Sequence, residues 1–324
     1  MPEAAVLIAL PTGSASVSTS DLATAASLAF GSLVLLTVGA AVLSSVLHAR
    51  SVGAVSSGLS GPVSDVARLL RQRRRVPVSA DRLLWAVGTW GLVVAAVLMV
   101  AVVPWGDAVA LPTDVGIVWF NMVDVAVWAL VWLAGWGANS AYGIIGGHRF
   151  LAQALGYELP LMFALVAPAI AAHSLDPLVV AEAQHGLWYA VWMPVAFLVY
   201  LVGVLGFSVS GPFAAALGSD VAGGVAAEVS GLDRLLLLAG RHALLAAGAA
   251  FAVPLFLGGG SGPLLPGWAW SLLKSAAVLA VLVWARRRLP VLRPDLFMEL
   301  GWIVLLPLAL VQDLVVAVLV VWRS

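Results

Sequence analysis

The sequence GWGANSAYGIIGGHRFLAQALGYELP, residues Gly135 to Pro160, is a polar and glycine-rich patch between long apolar runs. Four of its glycines, between positions 137 and 147, together with Asn139 and Ser140, predict a loop. An apolar run resumes after Arg149 and is long enough to belong to a membrane-spanning helix. The patch therefore predicts a loop that leads into a span.

The predicted span contains Gln153, Tyr157 and Glu158 among apolar residues. A carboxyl group is costly to place in hydrocarbon, so Glu158 should lie in the protein interior and marks a candidate functional site. Pro160 cannot donate a backbone hydrogen bond to the carbonyl of Gly156. This predicts a kinked helix with a free carbonyl beside Glu158.

Composition indicates the class of protein. Of the 324 residues, 62% are hydrophobic and 10% are charged, and the mean hydropathy is +1.06. No soluble core could absorb this much apolar surface, so the chain is predicted to be an all-α integral membrane protein. It has no cysteine, which excludes an iron–sulfur cluster or a disulfide held by this chain alone. The spacing of the histidines predicts no metal site.

Apolar runs predict about eight transmembrane helices. They lie at about residues 22–47, 82–104, 114–136, 150–174, 187–206, 234–257, 268–285 and 300–322. Residues 1–21 are predicted to form an N-terminal outer segment and residues 22–324 a single polytopic membrane domain. Lysine and arginine are concentrated at 48–82 and 285–299 and are absent from the alternate connections. These two basic loops should face the cytoplasm, which places both termini on the periplasmic side.

The patch also carries a dense set of positions that match a known signature. The matching residues are Gly135, Trp136, Asn139, Ser140, Tyr142, Gly146, Arg149, Ala152, Gln153, Tyr157 and Glu158. In this pattern the chain resembles the H subunit, or subunit 1, of proton-pumping NADH:quinone oxidoreductase (respiratory complex I) and related subunits of membrane-bound hydrogenases. The resemblance extends over about residues 58–311 and implies an eight-helix fold.

The resemblance implies a membrane subunit of a multisubunit NADH (or other donor):quinone oxidoreductase in the bacterial plasma membrane. Such a subunit anchors the redox arm, helps to form the quinone chamber and couples quinone reduction to proton translocation. It implies quinone contacts for Arg149, Gln153 and Tyr157 and a proton relay through Glu158. Asp124 could serve the same relay, because it lies one turn from a position where many family members have an acid.

The implied cofactors lie elsewhere in the assembly. Quinone is the substrate, this chain binds no cofactor covalently, and NADH, FMN and the iron–sulfur clusters belong to partner subunits. The implied partners are a soluble redox module, antiporter-like membrane subunits and membrane lipid, with no nucleic acid.

A basic run follows the first predicted span. Arg71, Arg73, Arg74 and Arg75 lie in the first predicted cytoplasmic loop, which keeps Asp65 and several other family positions but is basic where the family's loop is acidic. One interpretation is an anchor against anionic lipid headgroups. The other is a docking face, including Asp65, for a peripheral electron-transfer module.

Two departures from the family affect the implied quinone chamber. The loop at 207–231 keeps Glu228 but lacks most of the family's carboxylates, and Asp220 is its only other acid. Arg241 stands where the family has an acid in the sixth helix. These departures favour an alternative function, a paralogous anchor subunit of a hydrogenase-like or altered redox complex that does not reduce quinone. A stand-alone transporter is a third alternative, which the lack of a visible inverted repeat weakens.

The remaining embedded charges have coupling or structural interpretations. Arg241 is expected to neutralise one of the embedded acids. Pairing or snorkelling explains Lys274 in the seventh predicted helix and Asp313 in the eighth equally well. Glu228, in the loop before the sixth predicted helix, also has a coupling or structural interpretation.

Overall fold

The computed structural model describes residues 19–53, 58–219 and 222–323. This part of the chain is mostly helical and contains no β-strand. The α-helices are α1 (Thr19–Val52), α2 (Gly61–Arg71), α3 (Arg82–Val100), α4 (Gly116–Gly137), α5 (Ala141–Ala172), α6 (Pro177–Glu182), α7 (Tyr189–Trp192), α8 (Pro194–Phe207), α9 (Gly231–Phe256), α10 (Gly267–Arg288), α11 (Pro294–Leu300) and α12 (Leu306–Arg323). Two 3₁₀ segments, Gly211–Leu217 and Val225–Ala227, follow α8, and a π-helical segment, Gly301–Leu305, joins α11 to α12.

Eight helical segments in the described ranges are long and apolar enough to cross a membrane, which confirms the predicted all-α membrane fold. They are α1, α3, α4, α5, α8 with the 3₁₀ segment after it, α9, α10 and the α11–α12 unit. The first predicted span, 22–47, lies within α1. The predicted outer segment, 1–21, lies almost wholly outside the described residues, which begin at 19.

The helix ends form two faces of the bundle. One face, called the basic end, holds α2, the start of α3 and the end of α10, with the arginines of both basic loops. There the Asn139 side chain donates to the carbonyl of Ser79 (3.1 Å). The other face, called the opposite end, holds the connections 101–115, 173–193 and 257–266, which contain no lysine or arginine. Which end faces the cytoplasm stays a prediction.

The centre of the bundle is α9, which packs against α1, α3, α8 and α10. Every residue from 243 to 256 in this helix is buried. Many of them are alanine or glycine, and such small residues allow membrane helices to approach closely. The Phe251 ring stacks on Phe120 of α4 at 4.0 Å, and the Tyr200 hydroxyl donates to the carbonyl of Gly248 (2.7 Å). Helix α9 therefore forms the packing surface that α1, α3, α8 and α10 share.

The glycine-rich patch is helical where a loop was predicted. Only residues 138–140 form a turn, and α5 begins at Ala141 and contains three of the four patch glycines. These glycines permit close packing: a Cβ on Gly146 would clash with the backbone of Gly224 and Val225. The loop prediction was wrong because glycine marks turns in many sequences but marks close contacts in membrane helices.

Helix α5 continues through Pro160 as one element. Because proline has no N–H, the carbonyl of Gly156 loses its usual helical donor. That carbonyl lies against Gly301 of the π-helical segment, where a Cβ would clash with it. The proline therefore marks a close crossing between α5 and the last span.

Two further elements differ from the prediction. The fifth span was predicted from residue 187, but α8 begins at Pro194, after the separate four-residue helix α7. Proline is favoured in the first turn of a helix, which explains this start. The first basic loop also contains a helix, α2, which begins with Pro62 in its first turn.

Candidate functional site

A row of polar side chains runs along α5 from the basic end into the bundle. Arg149, Gln153 and Tyr157 are four residues apart, so they share one side of the helix and extend over about 12 Å. Gln153 and Tyr157 are 0% and 1% exposed. Neither the Gln153 amide nor the Tyr157 hydroxyl makes a hydrogen bond of good geometry within the described ranges. These two residues therefore present available donors and acceptors inside an apolar bundle.

Two carboxyl groups meet at the inner end of this row. Asp124 on α4 is fully buried, and Glu158 on α5 is 6% exposed. The two groups are close enough for their charges to interact, although neither makes a hydrogen bond of good geometry to any described residue. The structure thus brings together the two predicted relay residues from different helices.

An aromatic side chain, Trp128, lies next to this acidic pair. The Trp128 indole lies beside both Tyr157 and Glu158. It belongs to α4, one turn after Asp124, and its N–H has no hydrogen-bond partner of good geometry among the described residues. Sequence reasoning did not assign Trp128 or the nearby Asn121 to the site. The signal was present, because positions 121, 124 and 128 follow the i, i+3, i+7 spacing of one helix face.

Such a pair is chemically unusual. An ionised carboxyl group without a partner costs several kcal/mol in an apolar interior, and two of them close together repel each other. Buried groups of this kind are typical of proton pathways in membrane proteins. The arrangement can hold a proton between Asp124 and Glu158 and exchange it with the neighbouring Tyr157.

Aromatic rings and the 3₁₀ segment form the wall of the site. The Tyr157 ring packs against Gly206 of α8, where a Cβ would overlap it. The same ring meets Phe213 edge-on at 5.9 Å, and Phe213 meets Phe297 of α11 at 4.5 Å. The loop before α9 therefore contributes directly to the environment of Tyr157.

Arg149 holds this loop in place. Its guanidinium group donates to the carbonyls of Ala215 (3.0 Å), Gly223 (2.9 Å) and Ala222 (3.0 Å). At the start of α5, the Ser140 hydroxyl donates to the Glu228 carboxylate (2.7 Å). Both residues tie the loop to α5. Arg149 is therefore a positioning residue at the basic end, whereas Gln153 and Tyr157 have free polar groups.

The basic run is only partly available for docking. Arg74 forms an ion pair with Asp233 of α9 (2.6 Å), and the Trp90 indole donates to the same carboxylate (3.1 Å). Sequence reasoning missed Asp233, since it is 159 positions from Arg74 and only the fold brings them together. Arg74 therefore joins two parts of the same chain, and its docking role stays a prediction for a side chain that is about half exposed.

The other members of the proposed docking face remain at the surface. Arg71, Arg73 and Arg75 are exposed. Asp65 pairs with Arg68 one turn away (3.1 Å), and both side chains are about two-thirds exposed. A surface pair of this kind contributes little to stability. These residues are therefore free to meet a partner or the membrane surface.

Lys274 and Asp313 differ sharply in their surroundings. The Lys274 ammonium group donates to the carbonyls of Leu257 (2.8 Å), Gly259 (2.9 Å) and Ser261 (2.8 Å) at the opposite end. It is far along the bundle from the acidic pair and has a structural environment. Asp313 lies on α12, which packs against α5 and α8, and its carboxyl group has no hydrogen-bond partner among the described residues.

Arg241 does not pair with an embedded acid. None of the ion pairs in the described part of the chain includes it. The charge that acts on it is that of Arg286, the arginine at the end of α10. The structure therefore corrects the expectation that Arg241 neutralises Asp124 or Glu158, because α9 directs this side chain toward α10.

The chain is similar to one protein family over most of its length. A family model described as NADH dehydrogenase matches residues 9–317. An H subunit of the NADH-quinone oxidoreductase of Geobacter sulfurreducens, the copy numbered 2, is 35% identical over 271 residues, which cover 80% of this chain and 82% of that protein. The H subunit of the Geobacillus kaustophilus enzyme is 32% identical over 310 residues, 90% of this chain and 93% of that protein. The H subunit of the Syntrophotalea carbinolica enzyme is 32% identical over 279 residues, with 82% and 84% covered.

Proposed function

This chain belongs to the H-subunit family of NADH-quinone oxidoreductases, and on that premise we propose that its Asp124–Glu158 pair relays protons to and from a quinone site. The chain is a multi-pass membrane subunit of a complex I-like enzyme in a bacterial membrane. The finer proposal is that it anchors a soluble redox module and couples quinone reduction to proton translocation, while NADH, FMN and iron–sulfur clusters are held by partner subunits.

The single observation that supports the relay is the meeting of two buried carboxyl groups beside the Tyr157 hydroxyl, with no cationic partner among the described residues. Purely structural acids in apolar surroundings find donors, as Asp233 does with Arg74 and Trp90. Asp124 and Glu158 form no ion pair and no hydrogen bond of good geometry with the described residues. Their placement fits groups that gain and lose protons.

The row on α5 supports a quinone headgroup site next to the pair. A quinone carbonyl accepts hydrogen bonds, which the Gln153 amide and the Tyr157 hydroxyl can donate. Two-electron reduction to the quinol requires two protons at the quinone oxygens. A negative charge formed there would favour protonation of the adjacent acidic pair, and neutralisation of that charge would release the proton. Arg149 contributes by holding the loop that carries Phe213.

The names of the relatives do not favour the alternatives of a hydrogenase-like anchor or a stand-alone transporter. The reduced number of acids in the loop at 207–231 still distinguishes this chain from the family pattern. We propose that the relay begins at Tyr157 and Glu158 and does not require those loop carboxylates.

The test uses the assembled complex reconstituted in vesicles. Glu158→Gln and Asp124→Asn keep the size of each side chain but remove its titration. We expect each variant to assemble normally and to lower proton movement per electron by about tenfold or more, measured with a pH-sensitive dye during donor-driven quinone reduction. Glu182→Gln changes an exposed carboxylate at the end of α6, is the matched control and should behave as the parent.

Two outcomes contradict the relay. A Glu158→Gln complex that pumps at the parental rate would show that the carboxyl group carries no proton in turnover. A complex that fails to assemble would show that Glu158 is chiefly a structural partner between α4 and α5.

A further inference from the structure

An open apolar groove runs between α1 and α10 on the outside of the bundle. Its volume is about 550 Å³. Leu36 and Leu279 form its buried floor, whereas Leu35 and Leu273 are more than half exposed and form its walls. Gly39 lies in the lining, and a Cβ added there would meet nothing within 4 Å. The groove is thus an apolar channel on the outer surface of the helical bundle.

The groove leads toward a cluster of positive charges at the basic end. Ser44 follows the groove residue Leu43 and accepts hydrogen bonds from Arg286 and Arg287 of α10. These arginines begin about 9 Å along α10 from Ala280, the last groove residue of that helix. The contacts with Ser44 bring α1 and α10 together there.

Arg241 adds a third guanidinium group to this cluster, beside Arg286 and Arg287. The charge of Arg286 acts on Arg241, and the Arg241 Nε is buried without a hydrogen-bond partner among the described residues. None of the ion pairs in the described ranges involves Arg241, Arg286 or Arg287. Like charges held together without a carboxylate favour the binding of an anion.

We propose that the α1–α10 groove and the Arg241–Arg286 cluster form a binding site for an anionic phospholipid. One acyl chain lies in the groove, and the phosphate group lies against Arg286 and Arg241 at the basic end. Arg286 binds Ser44, which directly follows the groove residue Leu43, so a charged headgroup site lies next to an apolar groove. This combination supports a lipid rather than a free anion, because a free anion has no apolar part to fill the groove. The site is separate from the Asp124–Glu158 pair.

The test applies photoactivatable phosphatidylglycerol, with a diazirine in one acyl chain, to the full chain in its purified membrane complex. Phosphatidylcholine with the same acyl chains is the headgroup control. We expect labelling of residues 35–43 and 269–280, mapped by mass spectrometry. Phosphatidylglycerol should label these residues several-fold more than phosphatidylcholine. Replacing Arg241 and Arg286 by glutamine should lower this labelling by about fivefold for each arginine. Arg288→Gln, whose arginine lies over the Trp284 ring, should have little effect.

A second variant tests the acyl chain without changing any charge. Gly39→Leu fills the groove and should lower labelling by the anionic lipid. Gly31→Leu makes the same change on α1 where a Cβ also meets nothing within 4 Å, but outside the groove lining, and should leave labelling unchanged. Both variants should assemble normally.

Three results would overturn the proposal. Equal labelling by the two lipids would indicate bulk lipid only. Absence of labelling in the groove would indicate that a partner helix covers it. The labelling could also fall in the arginine variants and on addition of inorganic phosphate but stay unchanged in Gly39→Leu. That result would indicate a free-anion site.

Discussion

Two polar clusters lie inside this apolar bundle, and they differ in whether their hydrogen bonds are satisfied. At the opposite end, Lys274 donates to three carbonyls and lies over the Trp188 ring at 4.8 Å. In the interior, Asp124 and Glu158 form no ion pair and no hydrogen bond of good geometry with the described residues. The first cluster stabilises the fold, whereas the second carries a cost in stability that a function must justify.

Gln184 and Gln153 show the same contrast between satisfied and unsatisfied hydrogen bonds within one residue type. The Gln184 amide contacts the carbonyls of Val180, Pro254 and Leu255 and accepts hydrogen bonds from the backbone of Tyr189 and Gly258. Gln153 makes none with the described residues. Both glutamines are nearly fully buried, so burial alone does not separate a structural from a functional polar side chain.

The largest expected effect is that of Lys274→Met. It removes three hydrogen bonds from a charged donor, each worth about 1.5–3 kcal/mol, and leaves the carbonyls of the α9–α10 connection without that donor. We expect a severe loss of assembled complex, measured by yield after solubilisation, while the remaining complex keeps its activity per molecule. Lys274→Arg keeps the charge and should lose less. A normal yield of Lys274→Met would remove the distinction between the two clusters.

The next largest effect is the difference between Gln184 and Gln153 when each is replaced by leucine. Gln184→Leu should destabilise the chain by about 2 kcal/mol and lower its thermal midpoint by several degrees, because backbone groups lose their partner. Gln153→Leu should leave the midpoint unchanged or raise it. A photoactivatable quinone analogue should label residues 142–158 in the parent, and a competing quinone should suppress this labelling. Gln153→Leu should weaken the labelling. Equal midpoints for the two variants, or undiminished labelling in Gln153→Leu, would contradict this account.

The smallest effect is expected in the basic run. Arg74→Gln leaves the fully buried Asp233 with only the Trp90 indole and should cost about 1–2 kcal/mol, since the arginine itself is half exposed. Arg73→Gln should leave the free energy of unfolding within about 0.5 kcal/mol of the parent. Its predicted effect is a weaker, salt-sensitive association with the soluble redox module, measured by pull-down. If Arg73→Gln retains the module at all salt concentrations, its docking role is wrong.

Parts of the site could be predicted from sequence. The spacing of Gln153, Tyr157 and Glu158 on one apolar span identified the polar side of α5. Asp124 was a candidate because it is an acid inside another span, but nothing in its spacing shows that it meets Glu158. Arg149 was assigned to quinone, whereas the structure shows its guanidinium group holding loop carbonyls. A donor's chemistry can be read from sequence, but its acceptor cannot.

The sequence by itself determined the membrane class, the eight spans and the family, because hydropathy and local spacing depend on neighbouring residues. Only the tertiary structure decided which polar groups are satisfied. The Arg74–Asp233 pair, the charge effect of Arg286 on Arg241 and the meeting of Asp124 with Glu158 each join segments that are far apart in sequence. Hydrogen bonds and charge interactions act over a few ångströms in space, so residues far apart in sequence acquire their roles only when the helices pack.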